Sequence, residues 1–126
     1  MNMEVVNDRL LHLNEPGMAL DFLVRNLGFV IQPHTSPKRA DIVKVYDRSL
    51  NVYEVFAHTI TNESRAGSNK LTIYTSDCLQ EYHEMELKGI IIITKPYYAP
   101  EGLAFEISDY WNNRYILMEK RDYNDQ

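Results

Sequence analysis

Several side chains that can act as acids, bases or hydrogen-bonding groups fall on strand positions of the same parity. If those strands form sheets, one face would carry Asp8, His12, Glu54, His58, Lys70, Thr72, Tyr74 and Arg114. His12 and His58 are candidates for general bases because histidine titrates near neutral pH, although a single strand histidine is more often a hydrogen-bonded wall residue. Asp8 and Lys70 take equivalent places on two strands. They would form a site for binding or proton transfer if they pair, and solvated strand ends if they do not.

Aromatic side chains near the end of the chain form a second group. Trp111, Tyr110, Tyr97 and Tyr98 could make a lid that stacks on a flat ligand, or could simply cover a hairpin and a dimer contact. Cys78 lies at a predicted helix start, where the helix dipole favours a thiolate, but no histidine partner is evident and a structural role is the better interpretation. The sequence contains no nucleophile elbow, phosphate-binding loop, paired CxxC, zinc-binding HExxH or dinucleotide-binding glycine pattern.

Composition narrows the class of protein. The 126 residues are enough for one domain with a sizeable core, and 44% hydrophobic with 25% charged residues is ordinary for a globular protein. A net charge of −5 argues against a nucleic-acid partner. The single cysteine fits a reducing compartment, and no apolar run is long enough for a signal peptide or a membrane helix. We therefore expect a cytoplasmic protein with no membrane partner.

The elements that must position these side chains can be predicted from the periodicity of the apolar residues. In the first half, Pro16 starts a helix and Gly28 ends it, with an apolar stripe between them. That stripe consists of Ala19, Phe22, Leu23, Asn26 and Leu27. Strands are predicted at residues 3–13, 29–32, 41–46 and 50–59, which gives the order β-α-β-β-β.

The second half repeats this order after a polar linker at residues 61–69. Asp77 is the predicted N-cap of a helix that ends at Gly89, and Gln80 completes a capping-box pattern. One face of this helix would carry Leu79, Tyr82, Met85 and Glu86. Strands are predicted at residues 70–75 and 90–94, a loop at residues 95–102, and a closing hairpin at residues 102–119.

The two halves repeat in register. The interval between the helix starts at Glu15 and Asp77 equals, to within a single position, the interval between the helix-ending glycines Gly28 and Gly89. The predicted fold is therefore α+β, a single domain of residues 1–126 in which two βαβββ modules, about 3–60 and 70–120, form a cupped mixed sheet. The concave side of such a sheet is a natural ligand cavity.

Three stretches resemble a known family. Residues 20–29 are similar to a first helix that ends in Leu-Gly-Phe, residues 77–89 to the second-module helix, and residues 109–117 to the closing hairpin. Together and in this order they resemble the vicinal oxygen chelate superfamily, which contains glyoxalases, extradiol dioxygenases, fosfomycin-modifying enzymes and bleomycin-resistance proteins. The likeness extends over almost the whole chain.

The resemblance implies where a metal would be held. The positions that match the ligands of the family carry Asp8, Glu54, Lys70 and Ile116. An ammonium group and an aliphatic side chain cannot ligate a divalent cation. Two carboxylates could hold a weak, hydrated hard cation at most, and not the usual cage of three or four ligands. We therefore expect no metal and no cofactor.

The resemblance and the missing ligands together predict a metal-free small-molecule binding protein, similar to the bleomycin-resistance branch, that sequesters a drug or a metabolite. A homodimer is expected because family members often place the site between modules of different subunits, and an acidic cup would suit a cationic or aromatic ligand. The expected ligand-binding residues are Asp8, His12, Glu54, His58, Lys70, Tyr74, Trp111 and Arg114. Two alternatives remain open: a divalent-metal-dependent lyase, isomerase or dioxygenase, and an interaction module whose cup is filled by its own side chains.

Overall fold

The computed structural model describes residues 10–32, 42–56 and 69–122, and its elements follow the order β-α-β-β-β twice. The chain divides into two compact units, Met1–Asn69 (unit 1) and Lys70–Gln126 (unit 2). Each unit contains one helix and one four-stranded mixed sheet. The predicted α+β fold with two βαβββ modules is confirmed. No helix in the described ranges is long and apolar enough to cross a membrane.

The described residues of unit 1 form a mixed sheet with one parallel strand pair. Its elements are β1 (Leu10–Leu11), α1 (Pro16–Leu27), β2 (Val30–Ile31), β3 (Ile42–Tyr46) and β4 (Val52–Phe56). The strand order is β1-β4-β3-β2, with β1 parallel to β4 and the other pairs antiparallel. The predicted strand positions 12–13, 29, 32 and 50–51 are not strand in the structure. The predicted strand positions 3–9, 41 and 57–59 and the linker at residues 61–68 lie outside the described residues.

Helix α1 begins and ends where its sequence signals indicate. Pro16 occupies the first turn, where a missing N–H costs no hydrogen bond. Gly28 ends the helix with a left-handed φ of 72°, and the next amide, that of Phe29, donates to the Leu23 carbonyl at 3.2 Å. The buried side chains of the helix are Pro16, Ala19, Leu20, Phe22, Leu23 and Leu27. This agrees with the predicted stripe except at Asn26, which is half-buried and donates through Nδ2 to the Phe22 carbonyl at 3.3 Å.

Alternation along the strands of unit 1 separates a buried row from a more exposed row. Leu11, Val45, Tyr53 and Val55 are buried, and the ring of Phe29, just beyond α1, meets the Tyr53 ring at 5.9 Å. The residues between them on β3 and β4 point to the opposite face because strand side chains alternate. The apolar core of this unit therefore lies on one side of its sheet.

Unit 2 has the same topology with longer strands. Its elements are β5 (Lys70–Tyr74), α2 (Cys78–Lys88), β6 (Ile91–Ala99), β7 (Gly102–Ser108) and β8 (Arg114–Lys120). The strand order is β5-β8-β7-β6, with β5 parallel to β8. The predicted closing hairpin is present as β7 and β8.

The predicted loop at residues 95–102 is wrong, because β6 continues through it to Ala99. Pro96 suggested a break, since proline cannot donate to a strand ladder. However, β6 is an edge strand, and its pairing with β7 is irregular between Thr94 and Tyr97, on either side of Pro96. An edge strand with a bulge tolerates proline, so the strand is not interrupted.

Helix α2 has the predicted cap but a different buried face. Asp77 accepts from the Gln80 amide at 3.1 Å, as predicted. The Gln80 side chain does not complete a capping box, because its Nε2 donates to Glu84 Oε2 at 3.1 Å. The Asp77 amide donates instead to Thr75 Oγ1 at 3.2 Å.

The helix turns Cys78, Glu81 and Met85 inward, whereas Leu79 and Glu86 of the predicted face are exposed. Burial of the Glu81 carboxylate is compensated by the Thr75 hydroxyl, which donates to it at 3.1 Å. The predicted face is therefore right at Met85 and wrong at Leu79 and Glu86, and it did not include the buried Glu81.

The internal repeat holds at the level of strand register. Leu10 is opposite Glu54 in unit 1, and Thr72 is opposite Ile116 in unit 2. Lys44 is opposite Glu54 in the same way that Glu106 is opposite Ile116. Each residue of a unit 1 pair is separated from its equivalent in unit 2 by the same number of positions in the sequence. The two units therefore present corresponding positions at corresponding places of their own sheets.

Candidate functional site

The polar side chains of unit 2 gather on the face of its sheet that is turned away from α2. The helix side is identified by the ring of Tyr82, which meets the Phe105 ring edge-on at 5.3 Å. Phe105 is paired with Leu117, and Leu117 with Ile73, so these residues share the helix side. The intervening residues form the opposite face, named here the helix-free face: Lys70, Thr72, Tyr74, Ala104, Glu106, Arg114, Ile116 and Met118.

Glu106 lies at the centre of the helix-free face. Its side chain is 17% exposed, and Tyr97 donates its hydroxyl proton to Glu106 Oε2 at 2.7 Å. The Glu106 amide donates to Thr94 Oγ1 at 3.1 Å, which fixes the backbone at the irregular part of the β6–β7 ladder. A short O–H···O bond to a carboxylate is among the stronger hydrogen bonds in proteins. The carboxylate is therefore held in a defined position.

The Tyr97 hydroxyl remains a hydrogen-bond donor to Glu106 at neutral pH. Burial, followed by the hydrogen bond to Glu106 and the charge of Glu106, raises the pKa of Tyr97 to about 12. The phenol consequently remains protonated far above physiological pH. Tyr97 can orient the carboxylate, and Glu106 keeps its second oxygen for another partner.

Arg114 approaches Glu106 from β8 but does not engage it closely. Its Nη1 lies 3.9 Å from Glu106 Oε1, which is longer than the roughly 2.7–2.9 Å of a charge-assisted hydrogen bond. Its Nε is buried and has no hydrogen-bond partner among the described residues. A buried donor without a partner costs about 1–3 kcal/mol. The guanidinium therefore has hydrogen-bonding capacity that these residues leave unused.

The turn between β7 and β8 holds Arg114 in place. Asp109 is buried and accepts hydrogen bonds from the Trp111 and Asn113 amides at 2.9 and 3.0 Å. It also accepts from Asn113 Nδ2 at 2.8 Å and from the Tyr115 hydroxyl at 2.7 Å. Asn113 and Tyr115 flank Arg114, so the carboxylate anchors the chain on both sides of the arginine.

Unit 1 contains the same turn. Asp47 accepts from the Ser49 and Asn51 amides, each at 2.9 Å, from Asn51 Nδ2 at 3.0 Å and from the Tyr53 hydroxyl at 3.2 Å. The shared pattern is Asp-x-x-x-Asn-x-Tyr, which starts at Asp47 and again at Asp109, and the two copies are related by the same shift as the strand pairs. This pattern was not among the sequence-based predictions, although a position-by-position comparison of the two halves reveals it.

Three of the predicted site residues of unit 2, Lys70, Tyr74 and Arg114, lie on the helix-free face, as strand parity indicated. Lys70 is directly opposite Arg114 in the parallel β5–β8 pair. Tyr74 lies further along the strand, where its hydroxyl donates to Glu101 Oε1 at 3.4 Å and Lys120 Nζ lies 4.8 Å from its ring centroid. Their role in ligand binding remains a prediction.

Beside Tyr74 the surface forms an open groove of about 500 Å³. It is lined by Glu101, Lys120, Arg121 and Asp122, two acids and two bases. Arg121 is engaged with Glu119 at 3.2 Å. The residues that line the groove therefore balance in charge.

The four aromatic residues of the proposed lid lie in two separate places. Trp111 lies in the Asp109 turn, where its ring meets that of Tyr110 nearly at right angles at 6.1 Å. Tyr97 is opposite Ala104, four residues before the end of β7 and thus about 13 Å from the turn. Tyr98, its neighbour, is exposed. Of these four residues, Tyr97 is the one that donates a hydrogen bond to Glu106.

In unit 1, His12 and Glu54 share a face, as predicted. Residue 10 is paired with Glu54, and His12 follows two residues later, so His12 lies on the same face of the sheet as Glu54. The His12 ring meets Phe56 edge-on at 5.5 Å, and its Nδ1 is buried with no hydrogen-bond partner among the described residues. Asp8 and His58 lie outside the described residues, so the pairing of Asp8 with Lys70 remains a prediction.

The residues at the metal positions of the resembled family do not fit a divalent cation in unit 2. Glu54 and Ile116 lie seven residues after Asp47 and Asp109 and occupy equivalent register positions. An isoleucine cannot ligate a metal, and Lys70 contributes an ammonium group. Within the described ranges, no three His, Cys, Asp or Glu side chains gather where they could hold a metal ion.

The acidic cup expected from the sequence remains a prediction, because Asp8 lies outside the described residues. The charged groups of the helix-free face include the cations Lys70, Arg114 and Lys120 and the carboxylate Glu106. The acidic residues Glu84 and Glu86 lie on the exposed side of α2 instead. The net negative charge of the chain therefore does not describe this face, because charge is distributed unevenly over the fold.

The central residue Glu106 was also missed from the sequence. Its signal was a single carboxylate in β7, whose other residues are apolar or small. A charged residue within an otherwise buried strand needs a partner, so its position alone indicated a polar contact.

Comparison with known proteins bears on the fold. No protein-family model matches the sequence, and no curated protein sequence matches it. Among solved structures, an antibiotic binding protein, TnmS3 from Streptomyces sp. CB03234, has a TM-score of 0.67 and 17% identity, and the match covers 95% of this chain and 100% of that chain.

Two further structures are similar over most of their length. A member of the glyoxalase/bleomycin resistance protein/dioxygenase superfamily from Sphaerobacter thermophilus has a TM-score of 0.64 and 22% identity, covering 94% of this chain and 98% of its own. TioX from Micromonospora sp. ML1 has a TM-score of 0.63 and 16% identity, covering 89% and 95%. At these identities the likeness concerns the backbone. The chain has the fold of the glyoxalase/bleomycin resistance/dioxygenase superfamily, the vicinal oxygen chelate fold.

Proposed function

We propose that this protein binds and sequesters a small organic molecule, a drug or a metabolite, without using a metal. The observation that carries the proposal is the cluster of Glu106, Tyr97 and Arg114 on the helix-free face of unit 2. It combines a held carboxylate, a permanent phenol donor and a guanidinium with an unused buried donor. A few oriented polar groups beside apolar side chains are typical of small-molecule sites.

The residues that occupy the metal positions of unit 2 support binding rather than metal-dependent chemistry. Ile116 stands beside Glu106 where the resembled family usually has a carboxylate, and Lys70 stands where it has another ligand. Sequestration requires only shape and matched polar groups. TnmS3, one of the similar structures, is described as an antibiotic binding protein, which lends further support to a binding role.

We also propose that the protein acts as a cytoplasmic homodimer. The support is the resemblance, since family members often combine modules of different subunits in one site. Light scattering on the purified protein would give its mass directly: about twice 14.8 kDa supports the dimer, and 14.8 kDa contradicts it.

The first test is elemental analysis of the purified protein together with thermal melting in the presence of Ni, Zn, Mn or EDTA. A ligand that binds only the native state raises the melting temperature by mass action. We expect substoichiometric metal and no effect of EDTA. About one metal per chain with EDTA sensitivity would contradict the proposal and favour the metal-dependent lyase, isomerase or dioxygenase.

The second test is ligand binding itself. Melting temperatures are measured with bleomycin and with a panel of cationic, neutral and anionic aromatic antibiotics, and hits are titrated by calorimetry. Glu106→Gln removes the charge at the centre of the cluster and should weaken binding of a hit at least tenfold. Glu84→Gln removes an exposed carboxylate of α2 and should leave affinity unchanged. Equal affinities of both variants and the wild type would contradict the assignment of the site.

A further inference from the structure

We infer that this site selects a ligand with a neutral group that donates a hydrogen bond to Glu106 and accepts one from Arg114, as a primary carboxamide does. The inference rests on the proposed function and deepens it by naming the chemical class of the ligand. It starts from two atoms, the acceptor Glu106 Oε1 and the donor Arg114 Nη1, which lie 3.9 Å apart on the helix-free face.

Glu106 Oε1 and Arg114 Nη1 both reach the solvent. Their side chains are 17% and 41% exposed, respectively. Among the described residues, the side-chain nitrogen and oxygen atoms that are buried without a hydrogen-bond partner are His12 Nδ1 and Arg114 Nε. Oε1 and Nη1 are not among these buried atoms, and neither takes part in a hydrogen bond within the described residues. A ligand can therefore reach Oε1 and Nη1, whereas the buried Nε takes no part in recognition.

Tyr97 determines which oxygen of Glu106 is offered to a ligand. Its hydroxyl donates to Oε2 at 2.7 Å, so Oε1 is the oxygen that remains for another donor. The Glu106 amide donates to Thr94 Oγ1 at 3.1 Å, which holds the backbone at the same residue. The carboxylate is therefore oriented before a ligand arrives, and this reduces the entropy lost on binding.

The spacing of the two atoms fits a group whose own donor and acceptor are adjacent. An N–H···O hydrogen bond is about 2.9 Å long, so Oε1 and Nη1, at 3.9 Å, are too far apart to bond each other and close enough for one ligand group to bridge them. A primary carboxamide carries N–H donors and a carbonyl acceptor on neighbouring atoms. One N–H can donate to Oε1 while the carbonyl oxygen accepts from Nη1.

The opposite charges of Glu106 and Arg114 favour a neutral group. A ligand ammonium that approached Oε1 would lie close to the guanidinium, and a ligand carboxylate that approached Nη1 would lie close to the Glu106 carboxylate. Like charges at such distances repel each other. A neutral amide avoids both repulsions. The net charge of −5 of the whole chain therefore does not predict the charge of the ligand at this point.

Apolar side chains flank the polar pair and would contact the body of the ligand. Ile116 lies directly opposite Glu106 and is half-buried. Ile91 lies opposite Ser108, which is itself opposite Arg114, and is 37% exposed. The ligand that fits this face therefore combines the neutral group with an apolar or aromatic body.

The inference is tested with four probes that share one naphthalene ring and differ in the attached group. 1-Naphthaleneacetamide donates and accepts, and methyl 1-naphthaleneacetate only accepts. 1-Naphthaleneacetate and 2-(1-naphthyl)ethylamine carry a negative and a positive charge at pH 7.5. Each probe is titrated against the intact chain by calorimetry. A hydrogen bond to an ionised group corresponds to about a tenfold or larger change in affinity, so the amide should bind at least tenfold more tightly than the ester, and more tightly than either charged probe.

Glu106→Gln replaces the charged acceptor with a neutral one and should remove most of the preference for the amide over the ester. Glu84→Gln is the matched control, because Glu84 is an exposed carboxylate of α2, and it should keep the preference. Tyr97→Phe removes the hydroxyl that orients Glu106 and should reduce the preference in part. It also serves if Glu106→Gln does not fold.

The outcomes separate the inference from the function on which it rests. Equal affinities for the amide and the ester, or tightest binding of a charged probe, would overturn the inference and leave the small-molecule function standing. A preference for the amide that survives in both Glu106→Gln and Tyr97→Phe would overturn the role of Glu106. If none of the four probes binds saturably, the inference fails, and the antibiotic panel decides the proposed function on its own.

Discussion

Removal of one hydroxyl group tests how strongly the buried Asp109 carboxylate organises unit 2. Tyr115→Phe deletes the shortest of the four hydrogen bonds that Asp109 accepts, at 2.7 Å. Tyr115 is fully buried, and burial together with the bond to Asp109 raises its pKa, so it is a neutral donor at pH 7. The phenylalanine keeps the ring and its packing. The measured loss therefore reports the hydrogen bond.

The expected magnitude follows from the charge of the acceptor. A hydrogen bond to an ionised group contributes about 1.5–3 kcal/mol, and Asp109 keeps its other donors, so we expect a loss of about 2 kcal/mol in the free energy of unfolding. Tyr53→Phe deletes the equivalent bond to Asp47, which is longer at 3.2 Å, and should cost less than about 1 kcal/mol. Tyr110→Phe is the control, because Tyr110 is 77% exposed, and should change stability by less than about 0.5 kcal/mol.

Urea unfolding measures these differences. Trp111 is the single tryptophan and lies in the Asp109 turn, so its fluorescence follows unit 2, while circular dichroism follows the whole chain. A loss below about 0.5 kcal/mol in Tyr115→Phe would refute the view that this carboxylate anchors the hairpin. Equal losses in Tyr115→Phe and Tyr53→Phe would refute the argument from bond length.

Two further predictions concern backbone strain and a buried thiol. Leu50 has a left-handed φ of 67° and is 76% exposed, so Leu50→Gly should stabilise the protein by about 0.5–1 kcal/mol in urea unfolding. Asn112 has a φ of 68°, and Asn112→Gly should stabilise the protein by less, because asparagine tolerates this conformation better than leucine. A larger gain from Asn112→Gly than from Leu50→Gly would contradict the strain argument. Burial first, and then the charge of Glu119, raise the pKa of Cys78 from 9.0 to about 11, so Ellman's reagent should react about a hundredfold more slowly than with the urea-unfolded chain. Because the pKa of Cys78 is higher in the folded state, its contribution to stability is complete below pH 9 and is lost as the pH rises to 11. The melting temperature of Cys78→Ala should therefore fall less steeply over that range than that of the wild type. An equally steep fall would contradict the raised pKa of Cys78.

The order of elements could be predicted because its signals are local. Pro16 and Gly28 bound α1, and Asp77 and Gly89 bound α2, and each of these acts through the backbone of its own turn. The extent of β6 could not be predicted in this way. Whether Pro96 breaks a strand depends on whether that strand lies at a sheet edge, which only the completed topology decides.

The candidate site was predicted in part. Strand parity placed Lys70, Tyr74 and Arg114 on one face, because alternation is a property of the strand itself. Glu106 and its bond to Tyr97 were missed because they join β7 to a part of β6 that had been interpreted as a loop. An error in one element thus concealed the residue at the centre of the face.

The repeat places different side chains at equivalent positions of the two units. Asp47 and Asp109 build the same turn, so the strands that leave it present equivalent positions. In unit 1 the carboxylate is Glu54 on β4, opposite Lys44 on β3.

In unit 2 the carboxylate is Glu106 on β7, and Ile116 lies opposite it on β8. Ile116 occupies the metal position of the resembled family, so an apolar residue stands at that position and the acid lies on the neighbouring strand. On β7, Glu106 is within reach of Tyr97 on β6, and Arg114 lies near it on β8. One scaffold thus presents a glutamate at the metal position of the resembled family in unit 1 and an isoleucine at that position in unit 2. The helix-free face of unit 2 is therefore where substitutions should alter ligand preference without disturbing the turn that holds the fold.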